Sequence, residues 1–121
     1  VSAPEHVSID GLSSINFHDK LTNKSMQQEQ LANCLGPIDR VYDCDHLLRL
    51  VDHHWQREIE VSSAHCAQWV LWNPGQEIAS KMDDVHHHGE QQFVCLEAAN
   101  TSWQKIQPQQ TVAMKQAVRI L

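Results

Sequence analysis

Period-two alternation of apolar and polar residues, punctuation of that alternation by glycine and proline, and only one stretch suited to a helical turn predict an all-β, mainly antiparallel sandwich. Residues 6–10 alternate around Val7 and Ile9 until Gly11 breaks the pattern. Residues 13–20 resume it with Ile15 and Phe17 on one face, so the two segments read as a hairpin through Gly11 and Leu12. Residues 22–33 are polar, rich in Gln and without an apolar face, which predicts a loop. Gly36-Pro37 punctuates the chain before the strand-like Ile38-Asp39-Arg40-Val41-Tyr42. Residues 47–51 and 55–61 form a second predicted hairpin about Asp52-His53-His54. Residues 68–72 are short, apolar and aromatic, and Asn73-Pro74-Gly75 ends them sharply. Residues 77–82 supply one helical turn with Ile78 and Met82 on one side, and 92–96 read as a buried strand. Residues 111–121 alternate with Val112, Met114, Val118 and Ile120 on one face, just past Pro108. No repeat or linker interrupts residues 1–121, so a single domain is expected.

Composition narrows the function. A 41% hydrophobic share supports a core and argues against compositional disorder. Nine Lys and Arg against 15 Asp and Glu leave a net charge of -6, which disfavours a nucleic-acid partner because phosphate binding needs clustered cations. No run approaches the roughly 20 apolar residues of a membrane span, and the first residues lack a signal-peptide pattern. The four cysteines, Cys34, Cys44, Cys66 and Cys95, form no C-x-x-C pair. Reduced thiols in a cytoplasmic protein are therefore expected rather than disulfides. In that compartment the sequons at Asn23 and Asn100 carry no meaning.

Nine histidines, clustered at His53-His54 and His86-His87-His88, raise the question of metal binding. Ligation needs side chains converging from one face, whereas adjacent residues of an extended segment point apart. The composition around His86 to His88 favours a solvated loop, so no metal and no cofactor is expected. The clusters gain charge as pH falls through about 6.5, which predicts pH-dependent solubility.

With no phosphate loop, nucleophile elbow or zinc motif, acid/base chemistry is what remains. Glu97 ends the apolar run Phe93-Val94-Cys95-Leu96 between small residues, where desolvation would raise its pKa toward that of a useful base. The pattern by itself favours a strand-end carboxylate facing water. Asp39 could accept hydrogen bonds from sugar hydroxyls, or serve as a turn residue or ion-pair partner of Arg40. Trp69 and Trp72, three apart, face opposite sides of a strand; at least one is expected in the core, and a wall for a sugar ring is the alternative role.

Ile38-Asp39-Arg40-Val41-Tyr42, Val70-Leu71-Trp72-Asn73-Pro74-Gly75 and Phe93-Val94-Cys95-Leu96-Glu97-Ala98-Ala99 resemble three successive motifs of the D-hexose-6-phosphate mutarotases. These form the glucose-6-phosphate 1-epimerase branch of the aldose 1-epimerase, or galactose mutarotase-like, superfamily. Val7-Ser8-Ile9-Asp10-Gly11-Leu12 and Phe17-His18-Asp19-Lys20 resemble the stretch just past that family's middle, and the matches stay in register to about Leu121. The resemblance implies the C-terminal half of a β-supersandwich whose open cleft holds a sugar phosphate. The reaction implied interconverts α and β anomers by ring opening, with a glutamate taking the anomeric proton and a histidine protonating the ring oxygen.

By that resemblance Glu97 is the base, Asp39 binds substrate, and Trp72 and Asn73 line the site. The family's acid histidine belongs to a His-Thr-Tyr-Phe-like segment, and its phosphate-binding arginines lie further upstream; neither motif occurs in this chain. The triple histidine replaces an Asp-Asp-Gly-Tyr-like loop. The chain opens on Val1 rather than Met and reads as the latter part of a larger domain, inactive on its own. Half a sandwich exposes a sheet face and strand edges, which self-association into a homo-oligomer or a separate complementary chain would cover. The alternative function is a non-catalytic module that binds carbohydrate or associates with itself.

Overall fold

The structure, a computed structural model, describes residues 1–121. Its strands are β1 (Val7–Asp10), β2 (Phe17–Asp19), β3 (Lys24–Gln27), β4 (Ile38–Tyr42), β5 (Leu48–Asp52), β6 (Arg57–Ala64), β7 (Gln68–Asn73), β8 (Cys95–Ala99) and β9 (Lys115–Ile120). One helical turn, α1 (Gly75–Ala79), follows β7. The first sheet runs β1-β5-β6-β9 and the second β3-β2-β4-β7-β8, every pair antiparallel. The predicted all-β sandwich is the fold observed.

Alternation decides the layers. In the first sheet Val7, Leu48, Leu50 and Val61 turn inward; in the second, Phe17, Ile38, Tyr42, Trp69 and Leu71 meet them in one buried cluster. The Trp69 indole N–H donates to the His46 carbonyl at 3.0 Å, which satisfies the polar atom of the largest core side chain.

The predicted hairpin of β1 and β2 does not form. β1 pairs with β5 and β2 with β3 and β4, so the chain crosses between sheets over residues 11–16. Val7 and Phe17 both seek the same core from opposite sides, and buried Leu12 plugs the corner. The hairpin of β5 and β6 does form, about residues 53–56, with Trp55 in the turn rather than the strand. Residues 22–33, expected as loop, contain the short and largely exposed edge strand β3. β8 starts three residues later than expected and runs through Glu97. The last strand is confined to β9, whose every residue is exposed.

Asp52, wholly buried at the end of β5, ties the amino terminus to the β5–β6 turn. Its carboxylate accepts hydrogen bonds from Ser2 N–H at 2.6 Å, Ser2 Oγ at 2.7 Å and Trp55 N–H at 3.0 Å. Burial pushes its pKa up, but these donors, with the His54 N–H, outweigh burial and hold the carboxyl at about 2 instead of 3.8. A depressed folded-state pKa stabilises the fold above the unfolded value, and that contribution disappears as pH falls from about 4 toward 2. Asp52→Ala should cost about 2 kcal/mol at neutral pH by stranding buried donors, and should flatten the acid limb of stability against pH. Urea titrations between pH 2 and 7 that found the same acid limb in both proteins would contradict this role.

Candidate functional site

Three adjacent strands set the site. β4 pairs with β7 and β7 with β8 in a register that places Asp39 opposite Trp72 and Trp72 opposite Cys95. The next row on the same face is His18, Val41, Val70 and Glu97. These residues alternate with the inward-facing Arg40, Leu71 and Leu96, so both rows lie on the outer face of the second sheet. Asp39, Trp72 and Glu97, separated widely in sequence, thus share one face.

Asp39 is mostly buried and pairs with Lys20, Oδ2 to Nζ 3.4 Å, while its carbonyl accepts the Lys20 N–H at 2.9 Å. The ion pair with Arg40 considered from sequence does not form, because neighbours on a strand point to opposite faces. Arg40 turns inward, sits 4.2 Å from the Phe17 ring centroid and pairs with Glu29 at 2.7 Å. Trp72 tilts against Phe93 with centroids 5.9 Å apart, and Trp69 fills the core, as their spacing predicts.

Glu97 is exposed rather than wrapped in apolar groups. Its neighbour Cys95 has a pKa raised by burial, by the Glu97 charge and by the hydrogen bond its thiol donates to that carboxylate. A thiol that keeps its proton is no nucleophile. Burial likewise pushes Cys34 up to about 12 and, with help from Asp43 and Asp45, Cys44 to about 11. All four cysteines are unpaired.

Asn73 stands on the opposite parity, buried, and does not face these rows. Its amide nitrogen donates to the Glu90 and Phe93 carbonyls, both at 2.9 Å, and its Oδ1 accepts the Gly75 N–H at 2.9 Å. This side chain therefore fixes the segment that leads into β8. Gly75 adopts φ +67, and a Cβ there would lie 2.8 Å from Pro37 N. A Cβ on Gly36 would clash with Asn73 Oδ1, so the turns before β4 and after β7 close on each other only through glycines.

Sequence inspection missed the groove beside these rows, about 420 Å³, lined by His18, Lys20, Val41, Asp43, Gln68 and Thr101 among others. His18 Nδ1 lies 2.8 Å from Ser25 Oγ. Gln68 donates to Asp43 Oδ1 at 2.9 Å and accepts from Thr101 Oγ1 at 2.6 Å. His18 and Lys20 keep period-two spacing, but only the β2–β4 register carries them toward Val70. The His86 to His88 loop is exposed and gathers no three metal-ligating side chains. Glu90 beside it is buried, with Oε1 3.9 Å from His88 Nδ1.

The antiparallel sandwich thus displays two carboxylates and an indole on one outer face, beside a polar groove. The chain belongs to the aldose 1-epimerase family, whose profile matches residues 5–119. It is 30% identical to the "putative glucose-6-phosphate 1-epimerase" of Escherichia coli (strain K12) over a 121-residue alignment covering 94% of this chain and 40% of that protein. The crystal structure of HI1317 shares the fold, with a TM-score of 0.69 at 23% identity over 83% of this chain and 36% of that one. The chain thus spans well under half the length of these relatives. No helix is long and apolar enough to cross a membrane.

Removing the Asn73 amide should strand two carbonyls and one N–H. Asn73→Ala is expected to lower stability by about 3 kcal/mol and to speed amide exchange over residues 89–96. Exchange rates there matching those of the parent would refute the anchoring role.

Proposed function

We propose that the outer face of the second sheet is one wall of an aldose 1-epimerase site acting on hexose 6-phosphates. Glu97 is the base that takes the anomeric proton, Asp39 accepts from sugar hydroxyls, and Trp72 lies under the ring. Asn73 acts indirectly, by holding the segment that positions β8. The observation that carries this reading is the register that sets Asp39, Trp72 and Glu97 on one face of a family member. The phosphorylated substrate is suggested by the name of the Escherichia coli relative.

Ring opening needs a second group to protonate the ring oxygen, which shares a carbon with the anomeric hydroxyl. His18 lies in the same row as Glu97 but three strand spacings away, about 14 Å. It is too distant to serve the same carbon. No histidine of this chain stands in the family's acid motif, so we assign that acid, and the phosphate-reading arginines, to residues outside these 121. Four unpaired thiols suit a reducing, cytoplasmic setting.

Alone, the chain is expected to interconvert the anomers of glucose 6-phosphate no faster than buffer, by NMR exchange at neutral pH. A rate well above buffer that Glu97→Gln abolishes would show that the site is complete within the chain.

A second reading, a self-associating module, is favoured by β9. Val118 and Ile120 lie on the inward-facing rows with Val61 and Ile59, yet are 64% and 69% exposed. The second sheet stops short of them: Gln116 satisfies the open edge of β8, bonding Ala98 N–H at 2.9 Å and the Leu96 carbonyl at 3.1 Å. An isologous dimer that buries this apolar overhang is the simplest cover. Sedimentation should show a dimer that Val118→Lys with Ile120→Lys converts to monomer; a parent that is already monomeric would exclude it.

A further inference from the structure

The row of Asp39 and Trp72 ends in a cation. Lys20 directly follows β2 and continues its register: the Lys20 N–H donates to the Asp39 carbonyl at 2.9 Å, and Lys20 Nζ lies 3.4 Å from Asp39 Oδ2. Its ammonium therefore stands over β4, one strand spacing of about 5 Å from Trp72 on β7, while Glu97 lies on the opposite side of that indole, on β8. Along β2, β4, β7 and β8 the only other Lys or Arg is Arg40, which turns inward to Phe17 and Glu29. In a chain of net charge -6, Lys20 is thus the one permanent positive charge on this stretch of the outer face.

The ion pair does not use it up. An ammonium carries three donors, Asp39 takes one, and 55% of the Lys20 side chain is exposed against 20% of its partner's. Lys20 also lines the groove that runs over Val41 and Val70. Placement of the ring decides which end of a ligand meets these donors. A hexose on Trp72 with its anomeric hydroxyl at Glu97 extends the opposite end of the molecule, which carries C6, across Asp39 toward Lys20. A phosphate there accepts charge-assisted hydrogen bonds, about twice as strong as those a neutral hydroxyl receives.

We propose that Lys20 reads the phosphate of a hexose 6-phosphate and gives this chain its own preference for the phosphorylated sugar. The proposal rests on the aldose-site reading of the Glu97 face. Arginines outside these 121 residues can add to that preference but cannot produce it in the chain alone, so the chain alone is where Lys20 is measured. The test is NMR titration of the whole chain at low salt with glucose, glucose 6-phosphate and glucose 1-phosphate, following the backbone amides of Asp39 and Trp72. Glucose 6-phosphate should bind about tenfold more tightly than glucose. Glucose 1-phosphate, whose equal charge would lie against the Glu97 carboxylate, should show no such gain. Lys20→Met should bring the ratio of the glucose 6-phosphate and glucose affinities close to one, and Lys20→Arg, which keeps the charge, should retain a several-fold preference. A lysine that serves only as counter-ion to Asp39 would, when replaced by Met, weaken both sugars alike and leave that ratio intact. Such a result, equal affinity of the parent for the two sugars, an equal gain with glucose 1-phosphate, or a preference lost as fully in Lys20→Arg as in Lys20→Met would overturn the phosphate role and leave the aldose site standing. Failure of all three sugars to bind would overturn both.

Discussion

The candidate site depends on one register, Asp39 opposite Trp72 opposite Cys95. Side chains alternate with a period of two, so a slip of one residue between β4 and β7 or between β7 and β8 would turn a carboxylate into the core and a leucine out to water. Core packing enforces the register from the other side, through Leu71, Trp69 and Tyr42. The turns enforce it at one end, where Asn73, Gly36 and Gly75 leave no room to shift. Stability and chemistry are thus two faces of one strand pairing.

That pairing also sets the surroundings of Glu97. The carboxylate has a neighbouring thiol that keeps its proton, an indole across the sheet and a groove lined by its cross-strand partner Val70. His18 shares its row from three strand spacings away, about 14 Å. The exposed row of β9 differs in kind, since its apolar residues continue the inner face beyond the opposing sheet.

Much of the fold was legible because alternation is a local signal. Val7 and Ile9, the run at Ile38 to Tyr42, and the turns at Gly36-Pro37 and Asn73-Pro74-Gly75 all mark their own elements. Partner choice is not local, which is why β1 and β2, adjacent in sequence, were expected to pair and instead occupy opposite sheets. Strand β3 escaped notice because an edge strand facing water needs no apolar side. At the site, motif resemblance singled out Glu97, Asp39, Trp72 and Asn73, but residue identity does not reveal direction. Only the register shows three of them on the outer face and Asn73 spending its amide on backbone. His18, Lys20 and Gln68 carry no motif, and the groove they line exists only after the sheet is assembled.

The central claim is that a hexose meets this chain on the outer face of the second sheet. Backbone amide shift mapping during a glucose 6-phosphate titration tests it most directly. The account predicts perturbations concentrated at residues 39–41, 70–72 and 95–97, with Val7, Leu48 and Val61 of the first sheet unmoved. Perturbations confined to the first sheet, or to the His86 to His88 loop, would contradict it.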